Sequence, residues 1–345
     1  MKNTKNVKST TVQLSIKNLS NGVSQNTKRL VLIMVSLLVM ISVLKGDQFW
    51  TVNNFQSMFF QLPEFGILSF CLMLAFTSGG VDLSVVGIAN TAAVVTALIL
   101  IRFAPESAPV GGQITVIVIS ILAAIGVGLI LGLVNGLLIS KLQLPAMLVT
   151  LGTEQLYFGL AKVLTHADTL SNIQKLFTSA VNASFFGFIT VPLLCFVAVA
   201  IILWVLIAKS KYGFNLFMVG SNSKAAKYSG ISVEKTLVST YMLSGILAAI
   251  AGLIMMARTN SVKSGYGISY LTQAILTAML GGTFPSGGYC SIGGVVLAIF
   301  VVQVLSSTLN MFTSISNFYR GLIWGLVLLI AITLNYFDER KAKKH

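Results

Sequence analysis

Two stretches of the sequence place a glycine pair and a polar side chain directly after an apolar run. The residues involved are Gly79, Gly80, Asp82 and Ser84 in the first stretch and Gly281, Gly282 and Thr283 in the second. A glycine pair ends a helix, and the freed backbone groups can bind a polar solute where they line a cavity. The two stretches therefore predict a path for a polar substrate. The alternative is a pair of tight turns at the protein surface, with Asp82 or Ser84 capping the next helix.

Further polar residues stand inside other apolar runs. Glu154 lies in the run around residues 147–164, and Gln273 precedes the second glycine pair. A charge surrounded by apolar groups is costly, so Glu154 is expected to face a cavity or a polar partner, or to lie at the aqueous end of its helix. Asn135, Gln303 and Asn310 could bind a polyol or could link helices to each other.

The chemistry that is missing from the sequence is equally informative. The chain contains no G-x-x-x-x-G-K-[ST], H-E-x-x-H, G-x-S-x-G or C-x-x-C motif. Its cysteines and histidines have no spacing typical of a metal site. We identify only Asp82 and Glu154 as acidic residues within or beside the apolar runs, too few for a proton relay. The sequence therefore predicts no enzyme, no metal and no cofactor in this chain, and an energy source outside it.

Composition indicates the elements that position these residues. Of the 345 residues, 55% are apolar and only 9% are charged, whereas a soluble domain is about 25% charged. This excludes a soluble enzyme, a nucleic-acid-binding domain and a disordered chain. We predict an all-α polytopic membrane protein with about ten transmembrane helices and short interrupted helices. The predicted spans are Leu30–Leu44, Phe65–Ser78, Val85–Ile101, Ile114–Ile139, Met147–Leu164, Val191–Ala208, Leu237–Ala257, Leu271–Gly282, Ile292–Met311 and Leu322–Phe337.

The net charge of +14 is distributed unevenly along the chain. Most basic residues fall in residues 1–29, in residues 209–235 and in residues 338–345. The positive-inside rule places all three segments in the cytoplasm, so both termini are expected there and residues 30–337 form the membrane domain. No cleaved signal peptide is expected at the N-terminus.

The cytoplasmic segment 209–235 contains one predicted helix of about two turns. Ser221 or Asn222 can cap this helix and Gly230 can end it. The residues that would form its contact surface are Gly220, Asn222, Lys224, Ala225, Ala226, Lys227 and Gly230. The segment is either a basic surface loop or a docking helix for a motor subunit. A separate stripe, Gly126, Gly128, Gly132 and Gly136, predicts close packing between helices.

Four stretches in order resemble the permease subunits of bacterial ABC importers for simple sugars, the ribose, xylose, arabinose, galactose and autoinducer-2 group. They are Gly79–Ser84, Val134–Leu138 with Leu144–Pro145 and Val149–Thr153, Val219–Ile231, and Leu280–Thr283 with Ser286–Gly288. The resemblance covers about residues 60–335.

The resemblance implies several partners in a bacterial cytoplasmic membrane. They are a second permease in a homo- or heterodimer, ATP-binding subunits that carry ATP and Mg²⁺, and an extracytoplasmic sugar-binding protein, with membrane lipids around the dimer. Residues 220–230 would then be the coupling helix that meets the ATPase. The resemblance does not identify the sugar. Autoinducer-2, nucleosides and branched-chain amino acids are alternative substrates. A self-powered secondary transporter or a channel is the alternative function from a different class of membrane protein.

Overall fold

The computed structural model describes residues 27–185, 189–312 and 319–342, and these residues are almost entirely helical. Two short antiparallel ladders, Leu170–Ser171 (β1) with Ser261–Val262 (β4) and Ser184–Phe185 (β2) with Ile189–Thr190 (β3), join connecting segments. The helices are α1 Thr27–Phe49, α2 Val52–Thr77, α3 Val85–Phe103, α4 Val110–Ser140, α5 Ala146–Leu164, α6 Lys175–Val181, α7 Val191–Lys209, α8 Lys211–Ser221, α9 Ser223–Tyr228, α10 Val233–Thr259, α11 Ile268–Leu280, α12 Ile292–Met311 and α13 Tyr319–Ala342.

The predicted helical membrane fold is confirmed, and each predicted span lies largely within one helix. Among the described residues, seven helices are long and apolar enough to cross a membrane: α1, α2, α3, α4, α7, α10 and α12. The remaining three predicted spans correspond to α5, α11 and α13. α11 has 13 residues, and the apolar part of α13 is Gly321–Ala331.

Helix bounds differ from the prediction at several ends. α2 begins 13 residues before the predicted start at Phe65, because Pro63 lies inside the helix without ending it. The predicted N-terminal tail lies outside the described residues except for residues 27–29, which are helical. At the other terminus α13 continues into the predicted tail as far as Ala342.

α2 forms the centre of the bundle. Every residue from Leu62 to Thr77 is buried, and α10, α11, α12 and α7 pack around them. Phe70 of α2 stacks on Phe196 of α7 with ring centroids 5.4 Å apart. By contrast, α1 has few buried side chains and contacts the bundle through a small cluster that includes Ile41, Phe49 and Val304. α1 is therefore a peripheral helix.

The longest helix seam joins α4 to α10, as the glycine stripe predicts. A Cβ at Gly128 would overlap the carbonyl oxygen of Gly245, and a Cβ at Gly132 would overlap that of Tyr241. A Cβ at Gly136 would lie 2.8 Å from the Cα of Val238. Gly126 faces open space, so it does not belong to the contact. Small residues permit backbones to approach this closely, and dispersion between them stabilises the seam.

We expect Gly132→Ala to lower the thermal midpoint of the detergent-solubilised protein, because the new methyl group forces α4 away from α10. Overpacking of this kind costs about 1–3 kcal/mol. Gly126→Ala is the matched control on the same helix, and its midpoint should stay unchanged or rise slightly. Equal midpoints for the two variants would contradict the seam.

Candidate functional site

The first glycine pair ends α2 in a Schellman motif. Gly79 has a φ of +82°. Its N–H donates to the carbonyl of Phe76 at 2.9 Å, and the N–H of Gly80 donates to the carbonyl of Ala75 at 3.0 Å. A glycine is required at position 79 because residues that carry a side chain rarely adopt a left-handed backbone conformation.

The second glycine pair ends α11 in the same way, shifted by one position. Here Gly282 is the left-handed residue, with a φ of +87°. Its N–H donates to the carbonyl of Met279 at 3.0 Å, and the N–H of Thr283 donates to that of Ala278 at 3.0 Å. The preceding glycine, Gly281, packs against α12, where a Cβ would lie 2.5 Å from the Cα of Val295. The predicted helix breaks are confirmed, and both stretches use one termination geometry.

The first break and the segment that follows the second break meet the end of α8, and we call this contact the glycine junction: Gly79, Gly220, Gly287 and Gly288. The N–H of Gly288 donates to the carbonyl of Thr77 at 2.9 Å. A Cβ on Gly220 would overlap that carbonyl and lie 2.5 Å from the nitrogen of Gly288. A Cβ on Gly287 would lie 2.8 Å from the Cα of Gly79. The ends of α2 and α8 and the segment after α11 therefore touch through backbone atoms, with no side chain between them.

The predicted loop over residues 209–235 is mostly helical. α8 occupies Lys211–Ser221, which the sequence analysis did not predict, and it packs on α7 and α10 through Gly213, Leu216 and Val219. The hydroxyl groups of Tyr212 and Thr240 lie 2.9 Å apart. This helix was missed because the basic residues of segment 209–235 led to its assignment as a loop, whereas a new helix begins after Ser210 and packs on the bundle.

α9 is the predicted short helix, with the predicted cap and stop. The Asn222 side chain accepts a hydrogen bond from the N–H of Ala225 at 3.0 Å. Gly230 ends the helix with a φ of +82°, and the N–H of Ile231 donates to the carbonyl of Ala226 at 3.0 Å. α9 therefore projects from the glycine junction as a fixed, capped turn of helix.

The two alanines of α9 have different surroundings. Ala226 is fully buried, whereas Ala225 is exposed together with Lys224 and Lys227. We had expected both alanines to form one contact surface, and the burial of Ala226 corrects this: it holds α9 on the bundle. The surface available to another molecule includes Ala225, Tyr228 and the two lysines, together with the exposed cap Asn222 and stop Gly230.

A cavity of about 470 Å³ lies beside the glycine junction. Its walls come from the first helix break, from the segment after the second break, from α8 and α9, and from the ends of α4, α5 and α10. They include Ser78, Gly80, Asn222, Tyr241 and Ser286. Of the residues predicted to line a substrate path, Gly79 and Gly80 line this cavity.

Burial affects two titratable groups near the junction. Burial raises the pKa of the Cys290 thiol to about 11, and a hydrogen bond with Thr77 partly offsets the rise. Burial also raises the pKa of Tyr212, which its hydrogen bond with Thr240 partly offsets. Both groups are neutral at physiological pH, so the junction is held by packing and neutral hydrogen bonds.

Asp82 is fully buried and belongs to a hydrogen-bond network between helices. Its Oδ1 accepts from the Ser84 hydroxyl at 2.6 Å, and its Oδ2 accepts from the Ser244 hydroxyl at 2.7 Å. Asn135 donates to the Ser84 hydroxyl at 2.7 Å, and Tyr157 donates to the Asn135 side chain at 3.1 Å.

This network corrects the capping alternative, because neither the Asp82 nor the Ser84 side chain accepts a hydrogen bond from a backbone N–H in the first turn of α3. Asp82 accepts only the N–H of Ser84 from the backbone, at 3.2 Å. The network joins the α2–α3 connection to α4, α5 and α10, so Asn135 links helices. The carboxylate fixes the position of the first glycine pair.

The remaining predicted path residues lie apart from this network. Glu154 is buried on α5 next to Gly87 of α3, and Gln273 is buried on α11. Among the described residues, neither side chain hydrogen-bonds to the Asp82 network. Thr283 is fully buried, and its hydroxyl has no partner within the described part of the chain. Of the predicted path residues, Gly79 and Gly80 therefore lie at the glycine junction, whereas Glu154, Gln273 and Thr283 are isolated polar positions.

Sequence reasoning missed a buried ion pair at the opposite end of the bundle. Glu64 of α2 is fully buried, and both of its oxygens accept hydrogen bonds from Arg258 of α10. The Tyr270 hydroxyl of α11 donates to Glu64 Oε2 at 2.6 Å. We had counted only Asp82 and Glu154 as acidic residues in or beside the spans, because the span was taken to start at Phe65. The sequence signal that could have revealed Glu64 as a buried acidic residue is the apolar run on both sides of it.

The described residues contain no group of three His, Cys, Asp or Glu side chains that could hold a metal ion. The geometry instead indicates a mechanical contact between helix ends. The end of the core helix α2, the end of α8 and the segment after α11 meet at one place, and the small exposed helix α9 follows directly from there.

Comparison with known proteins identifies the family. The family model for the branched-chain amino acid transport system / permease component matches residues 54–332. The chain belongs to this family. It is a polytopic membrane permease, which confirms the resemblance inferred from the four sequence stretches.

Curated relatives resemble the permease over nearly its whole length. The ribose import permease protein of Bacillus subtilis (strain 168) is 31% identical over 308 residues, covering 89% of this chain and 90% of that protein. The L-arabinose transport system permease protein of Escherichia coli (strain K12) is 29% identical over 313 residues, covering 91% of each chain. The autoinducer 2 import system permease protein of Photorhabdus temperata is 30% identical over 305 residues, covering 86% of this chain and 88% of that protein. No solved structure matches the permease.

We expect Arg258→Gln to destabilise the permease more than Glu64→Gln does. The Arg258 side chain is 32% exposed and can turn to water when its partner is removed, whereas the Glu64 carboxylate is 0% exposed. Leaving that carboxylate unpaired costs roughly 3 kcal/mol, the low end for a buried pair because Arg258 is partly solvated. Unfolding in SDS measures both variants. The double variant should recover part of the loss, and additive losses would contradict a direct interaction.

Proposed function

We propose that this permease forms the translocation path of an ATP-driven importer for a simple sugar of the ribose type. The strongest structural support is the glycine junction, which joins the exposed helix α9, through α8, to the end of α2 and to the segment after α11. The sequence contains no P-loop, so ATP and Mg²⁺ are bound by a separate ATP-binding subunit. The relatives named for ribose, arabinose and autoinducer-2 import support the substrate class.

α9 is proposed as the coupling helix that contacts the ATPase. A helix of 6 residues is too short to be stable alone in water. Its cap, its glycine stop and the buried Ala226 hold it on the bundle. A force on α9 therefore moves Gly220, and with it the end of α2 and the segment after α11, because backbone atoms in contact leave no room for side chains to yield.

The junction end of the bundle is proposed to face the cytoplasm. Lys141, Lys209, Lys211, Lys224, Lys227 and Lys235 are exposed there. Glu234 offsets Lys141 at 3.7 Å in an exposed, weak pair. The positive-inside rule favours this orientation, and helix alternation then favours a cytoplasmic location for residues 1–29 and 338–345 as well.

The complete importer is proposed to contain a second permease, as a homo- or heterodimer, and an extracytoplasmic sugar-binding protein in a bacterial cytoplasmic membrane. Gly79, Gly80, Gly281, Gly282 and Thr283 are assigned to the cytoplasmic end of the path. Asp82 and Ser84 hold its wall in place. Glu154 and Gln273 are the candidate positions for polar contact deeper in the membrane.

Uptake of labelled ribose tests the function. A strain that carries the permease with its neighbouring ATPase and binding protein should accumulate ribose, and loss of the permease should abolish accumulation. Competition with allose and arabinose ranks the sugars, whereas competition by leucine or a nucleoside favours the alternative substrates. Uptake in proteoliposomes driven by an ion gradient alone would contradict an ATP-driven importer and indicate a secondary transporter.

We expect Ala225→Glu to abolish uptake and to reduce copurification of the ATPase at least tenfold, because a bulky acidic side chain replaces a methyl group on the exposed face of α9. Ala180→Glu is the matched control, since Ala180 is exposed on the short helix α6. It should leave both measurements unchanged. Normal ATPase copurification with Ala225→Glu, at equal permease levels in the membrane, would remove the coupling assignment.

A further inference from the structure

A second cavity, of about 470 Å³, lies between α1, α2 and α12 at the end of the bundle opposite the glycine junction. Its lining is almost entirely polar. The lining includes Lys45 and Gln48 of α1, Asn54 and Gln61 of α2, and Ser307 and Asn310 of α12. Each helix contributes residues spaced by one or two turns, so one polar stripe from each helix faces the same space. Packing of apolar helices does not require such stripes.

Only some of these polar groups form hydrogen bonds with other groups of the protein. Asn54 donates to the carbonyl of Phe49 at 2.9 Å and accepts from the Ser307 hydroxyl at 2.7 Å. Within the described residues, the ammonium of Lys45 contacts the ring of Phe312 at 5.9 Å and has no carboxylate within ion-pair distance. One turn deeper on the same face of α12, Gln303 is buried with both amide atoms unpartnered in the described part of the chain.

The lining chemistry favours an anion. Lys45 supplies the charge, and the carboxamides of Gln48, Gln61 and Asn310 supply N–H donors. Asp47, the carboxylate nearest along the chain, is exposed and does not line the cavity. Among the described residues, the lining contains neither a carboxylate nor an aromatic ring. A neutral sugar would therefore find no ring to stack on and no charged acceptor for its hydroxyl groups.

The position of the cavity favours a lipid over a free anion. Lys45 lies four residues before the end of α1, about 6 Å along the helix axis. Trp50 and the rings of Phe49 and Phe55 form an aromatic cluster directly after it, with centroids 5.2 to 5.8 Å apart. Aromatic clusters of this kind mark the headgroup level of a bilayer. Val35, Val39 and Val43 of α1 are exposed, so acyl chains can lie along the same helix.

We propose that this cavity binds the phosphate-containing headgroup of an anionic phospholipid, which joins the peripheral helix α1 to α2 and α12. The proposal depends on membrane insertion alone and not on the transported substrate. A failed sugar-uptake experiment would therefore leave it unaffected, and its own failure would leave the transport assignment unaffected.

Native mass spectrometry of the full-length permease, titrated with phosphatidylglycerol, tests the site. The wild-type chain should retain one tightly bound lipid, and Lys45→Gln should weaken that binding about fivefold, the effect of one basic residue near a membrane surface. Lys162→Gln is the matched control, since Lys162 is exposed in the last turn of α5. Lys45→Arg should restore binding, which separates loss of charge from loss of fold.

Competing ligands decide between the alternatives. Phosphatidylcholine should bind more weakly than phosphatidylglycerol. Displacement of the lipid by inorganic phosphate would indicate a site for a free anion, and displacement by ribose would indicate a sugar site. Either result would overturn the proposal, as would equal lipid binding by Lys45→Gln and Lys162→Gln, which is the behaviour of nonspecific annular lipid.

Discussion

The structure depends on backbone contacts at the glycine junction that leave no space for a Cβ atom. Gly220 lies against the carbonyl of Thr77 and the nitrogen of Gly288, and Gly287 lies against Gly79. Side chains can absorb a small displacement by changing rotamer, whereas contacting backbones cannot. The end of α8 is therefore joined rigidly to the end of α2 and to the segment after α11. That constraint is why we propose that a helix as small as α9 acts on the membrane domain.

Two buried polar clusters hold α2, which ends at the glycine junction, in its position within the bundle. Near the junction, the Asp82 network ties the α2–α3 connection to α4, α5 and α10. Farther from the junction, halfway along α2, Glu64 joins α2 to Arg258 of α10 and Tyr270 of α11. Each cluster buries a carboxylate, which is stable only because every oxygen has a hydrogen-bond donor. α2 is consequently held at its middle by Glu64 and directly after its C-terminal end by Asp82.

Much of the fold could be predicted from local patterns. Apolar runs give the membrane helices, the Gly-Gly pairs give the ends of α2 and α11, and Asn222 with Gly230 gives α9, since each signal depends on residues close in sequence. Glu64 could not be assigned because its partner is 194 residues away. α8 was missed because the basic residues around it indicate a loop, and its packing on α7 and α10 is set by the tertiary structure.

The sequence by itself determined that the chain is a helical membrane protein without its own ATP-binding motif, where its helices break, and which family it resembles. These properties follow from composition, from the conformational freedom of glycine and from short motifs. Only the tertiary structure decided that Gly79, Gly220, Gly287 and Gly288 meet, that Asp82 joins helices instead of capping one, and that Ala225 and Ala226 have opposite surroundings. Such contacts arise from helix packing across long sequence separations, and no local pattern encodes which helices become neighbours.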